Sequence, residues 1–337
     1  MPKTREGDFI ETQAGLLLDV KGLVQPPNRV IAFPRYFPNK QGSRKRDQVT
    51  YDKMYSLSER YAFLKRQHPT YLVHDRIFDE TLCEVPTIDI RRVFKPSRKL
   101  QELRKARRRD ALEDKALRFA RLIKERSKIP WEKLGVSGSL LVRLHTTRSD
   151  IDLIAYGSDN CRKVHSILHM LIEERDVVEP YGITEFRALF DFRSKDTATN
   201  FQDFVRTESR KAMQGTFLGT DYFFRFVKNW RQIGEKYGDI VYKNLGNAKI
   251  EATVTDDSES IFTPCTYQVN CTKITDGDKN WHLNQIVSFR GRFCEQAKNG
   301  ETVVARGKIE RVTDKKRGNQ YCRLLIGNNP SDFMVLK

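Results

Sequence analysis

Two carboxylates and a small-residue turn carry the chemistry that can be read directly from this chain. In Ser149-Asp150-Ile151-Asp152-Leu153 the two acids alternate with apolar side chains. On a strand, that spacing sends both carboxylates to one face and Ile151 and Leu153 to the other. Neighbouring carboxylates repel each other unless a cation sits between them. Their oxygens suit Mg²⁺, which takes one or two carboxylates and completes its shell with phosphate oxygens and water. Upstream, Gly138-Ser139 makes a small-residue turn into a short helical stretch, just after the apolar run around Leu134 and Val136. Free backbone N–H groups at such a turn, with a hydroxyl beside them, make a seat for phosphate. Singly, each motif is weak, and an isolated Asp-x-Asp is more often a solvated turn. Together they describe a site for a nucleoside triphosphate.

The order and spacing of Gly138, Ser139, Asp150 and Asp152 resemble the signature of the DNA polymerase β-like nucleotidyltransferase superfamily. The whole chain also resembles an archaeal family of predicted nucleotidyltransferases. The resemblance implies an α+β fold, with a nucleotidyltransferase core of mixed sheet and helices. It implies an NTP substrate, two Mg²⁺ ions and transfer of a nucleotidyl group to an acceptor. Gly138 and Ser139 would hold the triphosphate, and Asp150 and Asp152 the metals. It also implies a third carboxylate, flanked by apolar residues on a neighbouring strand. The candidate strand, Tyr222-Phe223-Phe224-Arg225-Phe226-Val227, offers Arg225 at its middle instead. Asp221, at the strand's start, shares the face of Arg225 by the period-two rule and is the nominee for third metal ligand. Glu251 is the second choice. Arg225 is then a nucleotide contact, since a guanidinium makes paired hydrogen bonds to phosphate.

The elements that must position this site follow from periodicity. Leu112, Ala116, Phe119, Ala120 and Ile123 trace one helical face that should pack on the site-bearing sheet, with Pro130 closing the helix. A second helix over residues 160–175 buries Val164, Leu168, Leu171 and Ile172. Further helical stretches fall at 184–192 and 200–213. Ahead of the core, residues 1–95 read as a strand-rich domain. It has a hairpin turn at Gln13-Ala14-Gly15, an exposed basic loop from Asn39 to Arg46, and a helix start at Ser56. Residues 96–245 form the nucleotidyltransferase domain, opened by the basic helix. In 246–337, strand-like runs separated by turn signals predict a small β-barrel. Its segments at 305–312 and 321–325 are similar to strand pairs of OB-fold barrels.

The net charge of +17 over 337 residues points to polyanions, RNA or DNA foremost, or to bulk solubility. The charge is concentrated at residues 91–128, with 16 Lys and Arg against 5 Asp and Glu. There Arg107, Arg108 and Arg109 line either a groove for a nucleic-acid backbone or a solvated face. In the barrel, Arg306, Lys308 and Arg323 beside Tyr321 fit a single-strand-binding face, with a purely structural barrel as the alternative. No apolar run approaches the roughly 18 residues of a membrane span. The start does not read as a secretory signal, so a cytoplasmic protein is expected. Six cysteines without a Cys-x-x-Cys pair predict buried free thiols. His165 and His169 read as surface histidines rather than metal ligands.

Two functions from different classes fit. One is a metal-dependent nucleotidyltransferase acting on a polyanionic acceptor such as RNA. The other is a protein of the same fold that binds RNA or DNA without turnover, motivated by the missing third carboxylate. Transfer of AMP to a protein is a third possibility, against which the basic charge argues. Dependence on Asp150 and Asp152 separates the first from the second.

Overall fold

A computed structural model describes residues 3–337 as an α+β protein of two compact units. The first contains the residues up to Leu72, then Cys83–Tyr181 and Ala212–Gly234; the second contains Val73–Leu82, Gly182–Lys211 and Glu235–Lys337. The two units therefore interleave along the chain. The N-terminal strands share a unit with the Asp-x-Asp strand.

The strands of the first third are β1 Phe9–Thr12, β2 Leu17–Val20, β3 Arg29–Pro38, β4 Arg44–Arg46, β5 Val49–Lys53, β6 Leu72–Asp75, β7 Glu80–Pro86 and β8 Ile90–Phe94, with helix α1 at Leu57–Gln67. The sheet runs β4-β5-β3-β2-β1-β8, and β7 also pairs with β3. As the turn chemistry predicts, β1 and β2 form a hairpin, with Phe9 opposite Asp19. The unbroken run Leu16-Leu17-Leu18 has a simple cause: both faces of this sheet are covered. Leu16, Leu18 and Ile10 pack with Leu64 of α1 and Tyr71. Leu17, Phe9 and Tyr36 pack the other way, with Leu141, Val142 and Leu144. The stretch expected to be a loose basic loop ends in strand β4.

The middle of the chain gives α2 Pro96–Lys105, α3 Ala111–Ser127, β9 Leu134–Val136, α4 Gly138–Leu141, β10 Ile151–Tyr156, α5 Ser158–Glu174, β11 Val178–Glu179, α6 Ile183–Arg193, α7 Phe201–Glu208, β12 Gln214–Phe217 and β13 Thr220–Val227. The second sheet runs β11-β12-β13-β10-β9, with β10 parallel to β13 and antiparallel to β9. Helix α3 starts at an Asp110–Glu113 capping box and ends at Lys128 in the left-handed conformation. It buries the five apolar positions that its sequence pattern singles out. Phe119 stacks on Phe217 with ring centres 4.5 Å apart and meets Tyr222 edge-on at 5.0 Å. Helix α5 buries Val164, Leu168 and Leu171, and its His165 and His169 are half-buried, edge to face at 4.7 Å.

In the second unit, β14 Ile240–Glu259, β15 Cys265–Asp276, β16 Leu283–Ser288, β17 Thr302–Asp314 and β18 Asn319–Leu325 pair in the order β14-β15-β16-β18-β17. Because β14 also pairs with β17, the series closes on itself. Only the β16–β18 pair is parallel. A last strand, β19 Phe333–Leu336, adds to β17. All six cysteines are free thiols, four of them buried. No helix among the described residues is long and apolar enough to cross a membrane.

Two of the second-unit cations expected on a binding face are committed elsewhere. Lys308 and Arg323 are buried. Lys308 bonds Glu80 and lies 2.9 Å from Glu310, while Arg323 holds Glu310 at 2.8 Å and stacks on Tyr242. Residues 73–82 cover this face, with Ile77 accepting from the Tyr242 N–H and Asp75 accepting from the Tyr237 hydroxyl. Alternation on β17 cannot reveal this, because residues on both of its faces are buried. Arg306 stays partly exposed, 3.3 Å from Asp276. Removing one member of a buried ion network strands its partners. Glu310→Leu should therefore lower unfolding stability by about 3 kcal/mol, and adding Arg323→Met should recover most of the loss. Chemical denaturation of the two variants checks both statements.

Candidate functional site

The site is built around one contact. Gly138 adopts φ +58°, and a Cβ there would sit 1.7 Å from Asp152 Oδ2. Only a residue without a side chain lets the turn and the carboxylate pack this closely. The arrangement is tied at both ends. The Ser137 N–H donates to the Asp152 carbonyl at 2.9 Å, and the Ser137 hydroxyl donates to the Gly7 carbonyl at 2.9 Å. The Leu144 N–H donates to the Ser139 carbonyl, also at 2.9 Å, closing the loop that returns towards β10. Ser139 itself is buried, and its Oγ has no hydrogen-bond partner.

The two acids take the alternation their spacing dictates. Ile151 and Leu153 are buried on the helix-covered face, while Asp152 is partly open and Asp150, just before the strand, is exposed. The Asp152 carboxyl is pushed up to about 7, first by burial and then by the charge of Asp150; Arg225, Lys53 and Arg35 pull it the other way.

In the β10–β13 register Ile151 lies beside Tyr222 and Ile154 beside Arg225. Asp221, one residue before Tyr222, therefore stands next to Asp150 on the face that carries Asp152, and it is exposed. Glu251 belongs to the second unit, where Lys337 Nζ lies 2.5 Å from it. Arg225 is bonded to Glu6, which also accepts from the Gly22 N–H at 2.8 Å.

Sequence reasoning missed what roofs this face. The N-terminal segment covers it: Leu23 packs on Ile154, Tyr156 and Val227, and the Arg5 guanidinium lies 4.0 Å from the Tyr156 ring centre. Arg35 and Tyr36 of β3, Arg44 of β4 and Lys53 of β5 approach the carboxylates from the same sheet. Arg44 donates to the Leu144 carbonyl at 2.5 Å and lies 3.4 Å from Ser149 Oγ, so the presumed exposed loop grips the segment leading to Asp150. Burial, then Arg35, lowers the Lys53 ammonium to about 8, while Asp150 raises it. Burial would raise the Asp19 carboxyl, but Lys21, Arg225 and Arg35 together hold it below the ordinary range. Its Oδ1 is buried without a partner. One signal was present: Asp19 is the single charge in an apolar run.

The basic stretch divides. Arg107 and Arg108 are exposed, whereas Arg109 closes the end of α2, donating to the Leu103 carbonyl at 3.0 Å and the Ala106 carbonyl at 2.6 Å. Ligand atoms of Asp110, Glu113 and His145 lie within 4.8 Å of one another, a grouping of metal-ligand types. Each has an internal use: Asp110 caps α3 and meets His145 Nε2 at 2.6 Å, and Glu113 holds Lys99 at 2.9 Å.

No family model matches the chain, and no solved structure matches it. The uncharacterized protein MJ1086 of Methanocaldococcus jannaschii is 34% identical over 340 residues, spanning 98% of this chain and 97% of that one.

Two measurements check the geometry. Gly138→Ala should cost about 2 kcal/mol or more, from the left-handed backbone and the collision with Asp152. For Asp152, the folded state binds the proton more tightly than the unfolded chain, whose value is about 3.9. Its contribution is thus most favourable below roughly pH 4 and is lost as the pH rises through about 7. In the presence of EDTA, Asp152→Asn should melt above wild type at pH 8, and the gap should close towards pH 5. Parallel Tm profiles would contradict the buried-carboxyl assignment.

Proposed function

We propose, for a chain that belongs to the same family as the Methanocaldococcus jannaschii protein MJ1086, metal-dependent transfer of a nucleotidyl group from an NTP to a polyanionic acceptor, RNA foremost. The observation that carries this reading is the contact of the Gly138 turn with Asp152 Oδ2, which joins phosphate seat and carboxylate pair in one structure. A sheet with β10 flanked by parallel β13 and antiparallel β9, backed by α3 and α5, supports a nucleotidyltransferase core. The closed strand order of the second unit supports an OB-like barrel.

The residues fit a divalent cation. Asp150 and Asp152 repel each other strongly enough to help push one carboxyl towards neutrality, and both offer the hard oxygen donors that Mg²⁺ prefers. Asp150 and Asp152 would hold the metal, with Asp221 beside them. Bound Mg²⁺ would supply charge neutralisation and acidify an acceptor hydroxyl.

The chain's own groups do the rest. Gly138 leaves its backbone open beside the carboxylates, and the buried Ser139 hydroxyl retains unused hydrogen-bonding capacity. Arg225, anchored by Glu6, keeps positive charge next to Asp152. In the reaction the acceptor oxygen attacks the α-phosphorus, the bond to the bridging oxygen breaks, pyrophosphate leaves, and the acceptor proton passes to solvent. Positioning and charge stabilisation supply most of the acceleration.

The second reading, nucleic-acid binding without turnover, is favoured by Arg225 at the mid-strand position where an acid is expected. It predicts RNA binding that falls steeply with salt and does not depend on Asp150 or Asp152. Incubation with α-labelled NTPs, Mg²⁺ and total RNA decides between them. Wild type should label RNA, and Asp150→Asn with Asp152→Asn should lose about 100-fold or more, the scale of several kcal/mol of lost charge stabilisation. Equal labelling by both proteins, or none by either with any of the four nucleotides, would refute the transferase.

A further inference from the structure

Several buried and half-buried cations of the first unit lie in ion-pair contact with an acid. Lys21 lies 2.7 Å from Asp19, Arg46 2.5 Å from Glu11 and Lys95 2.6 Å from Asp8, and Arg225 is bonded to Glu6. Arg35, Arg44 and Lys53 break this pattern. All three are half-buried, and among the described residues none has a carboxylate in ion-pair contact. Arg35 reaches only the Met54 carbonyl, at 3.4 Å. Arg44 reaches the Leu144 carbonyl and Ser149, and the Lys53 ammonium sits 5.0 Å from the Tyr55 ring centre.

The strands that carry these cations are adjacent. Tyr36 pairs with Lys53 across β3 and β5, the Met54 N–H donates to the Arg35 carbonyl at 3.0 Å, and Arg44 pairs with Tyr51 across β4 and β5. The cations repel one another, since Arg35 and Arg44 both disfavour the charged form of Lys53. Asp150 and Asp152 act on Lys53 through space, without ion-pair contact. Once those acids hold a metal ion, their charge is spent, and Arg44 and Lys53 keep no acid in ion-pair contact, while Arg35 shares the charge of Asp19 with Lys21 and Arg225. Half-buried positive charge held together at a cost is how a protein prepares a seat for a polyvalent anion.

We propose that Arg35, Arg44 and Lys53 form an oligophosphate subsite, contributed by the N-terminal sheet, for the β- and γ-phosphates of the nucleotide and hence for departing pyrophosphate. This rests on the carboxylate pair being a nucleotide site, and it makes the N-terminal sheet half of that site rather than an accessory. The ligand class is a linear chain of phosphates, because the cations lie on three adjacent strands next to a metal-binding pair.

Calorimetric titration of full-length protein with inorganic tripolyphosphate and Mg²⁺ tests it, using wild type, Arg35→Met, Lys53→Met and the exposed-helix control Lys65→Met. Arg44 is left intact because it also anchors Leu144. Wild type and the control should bind alike, and each of the other two should bind about tenfold more weakly, the loss of one charge-assisted contact. Without ligand, both should melt at or above the wild-type temperature, because repulsion is relieved. A purely structural role would lower it. Should a variant fail to fold, the wild type alone still decides: tripolyphosphate should raise its Tm, and NTP should compete.

Absence of binding to wild type, or unchanged affinity in both variants, overturns the subsite. So does tighter binding of a short 5′-hydroxyl RNA through the same two residues, which would make the cluster a contact for nucleic-acid backbone. Failure of nucleotidyl transfer with tripolyphosphate binding still dependent on Arg35 and Lys53 would sink the transferase and keep the subsite. Transfer that proceeds unaffected in Arg35→Met and Lys53→Met would do the reverse.

Discussion

The whole first unit is arranged around a carboxylate placed where a carboxylate is costly. Asp152 sits on a sheet face roofed by a second sheet, with another acid two residues away and glycine backbone against its oxygen. Burial and like charge both work against its ionisation. Everything near it answers that constraint. Gly138 has no side chain, Arg225 brings positive charge and is itself held by Glu6, and the cations of β3 and β5 face the same space.

Such an arrangement needs a rigid surround, because a mobile one would relax the strain by letting water in. The surround comes from a sheet buried on both faces, where Leu17 and Tyr36 pack on the short α4 helix while Leu16 and Leu18 pack beneath α1. On the far side Phe119 and its aromatic partners clamp β13 to α3. The buried hydroxyl of Ser139 and the buried Oδ1 of Asp19 remain without partners inside this frame. A buried polar atom left unsatisfied costs about 1–3 kcal/mol unless water or a ligand reaches it.

What the sequence reveals of this follows from the range of the interactions. The alternation of Asp150 and Asp152, the capping box of α3 and the β1–β2 hairpin are local, and each is legible within a few residues. The strands of the second unit's sheet are legible for the same reason, since turn signals punctuate them. The roof over the acids is not. Arg44 meets Leu144, and Glu6 meets Arg225, across long stretches of chain that no periodicity connects. Lys308 and Arg323 fail for a different reason. A basic residue in a strand looks exposed until the segment that buries it is known, and here that segment, residues 73–82, comes from far upstream.

Arg225 shows why counting carboxylates is the wrong test of this site. A strand position expected to carry an acid carries a cation, and Asp19, on another sheet, holds its negative charge partly because that cation is near. Replacing Arg225 by an acid in the present surroundings would add a charge beside Asp152, Glu6 and Asp19 and remove the group that balances them. Arg225 is therefore matched to its setting. The same logic bears on metal binding. With Asp221 beside Asp150 at the open end of the sheet, a pair or triad of acids can gather there, while the closed end is kept neutral by Arg225 and Glu6. Negative charge is thus graded along one sheet face, weakest where the chain packs and strongest where a cation could enter from solvent.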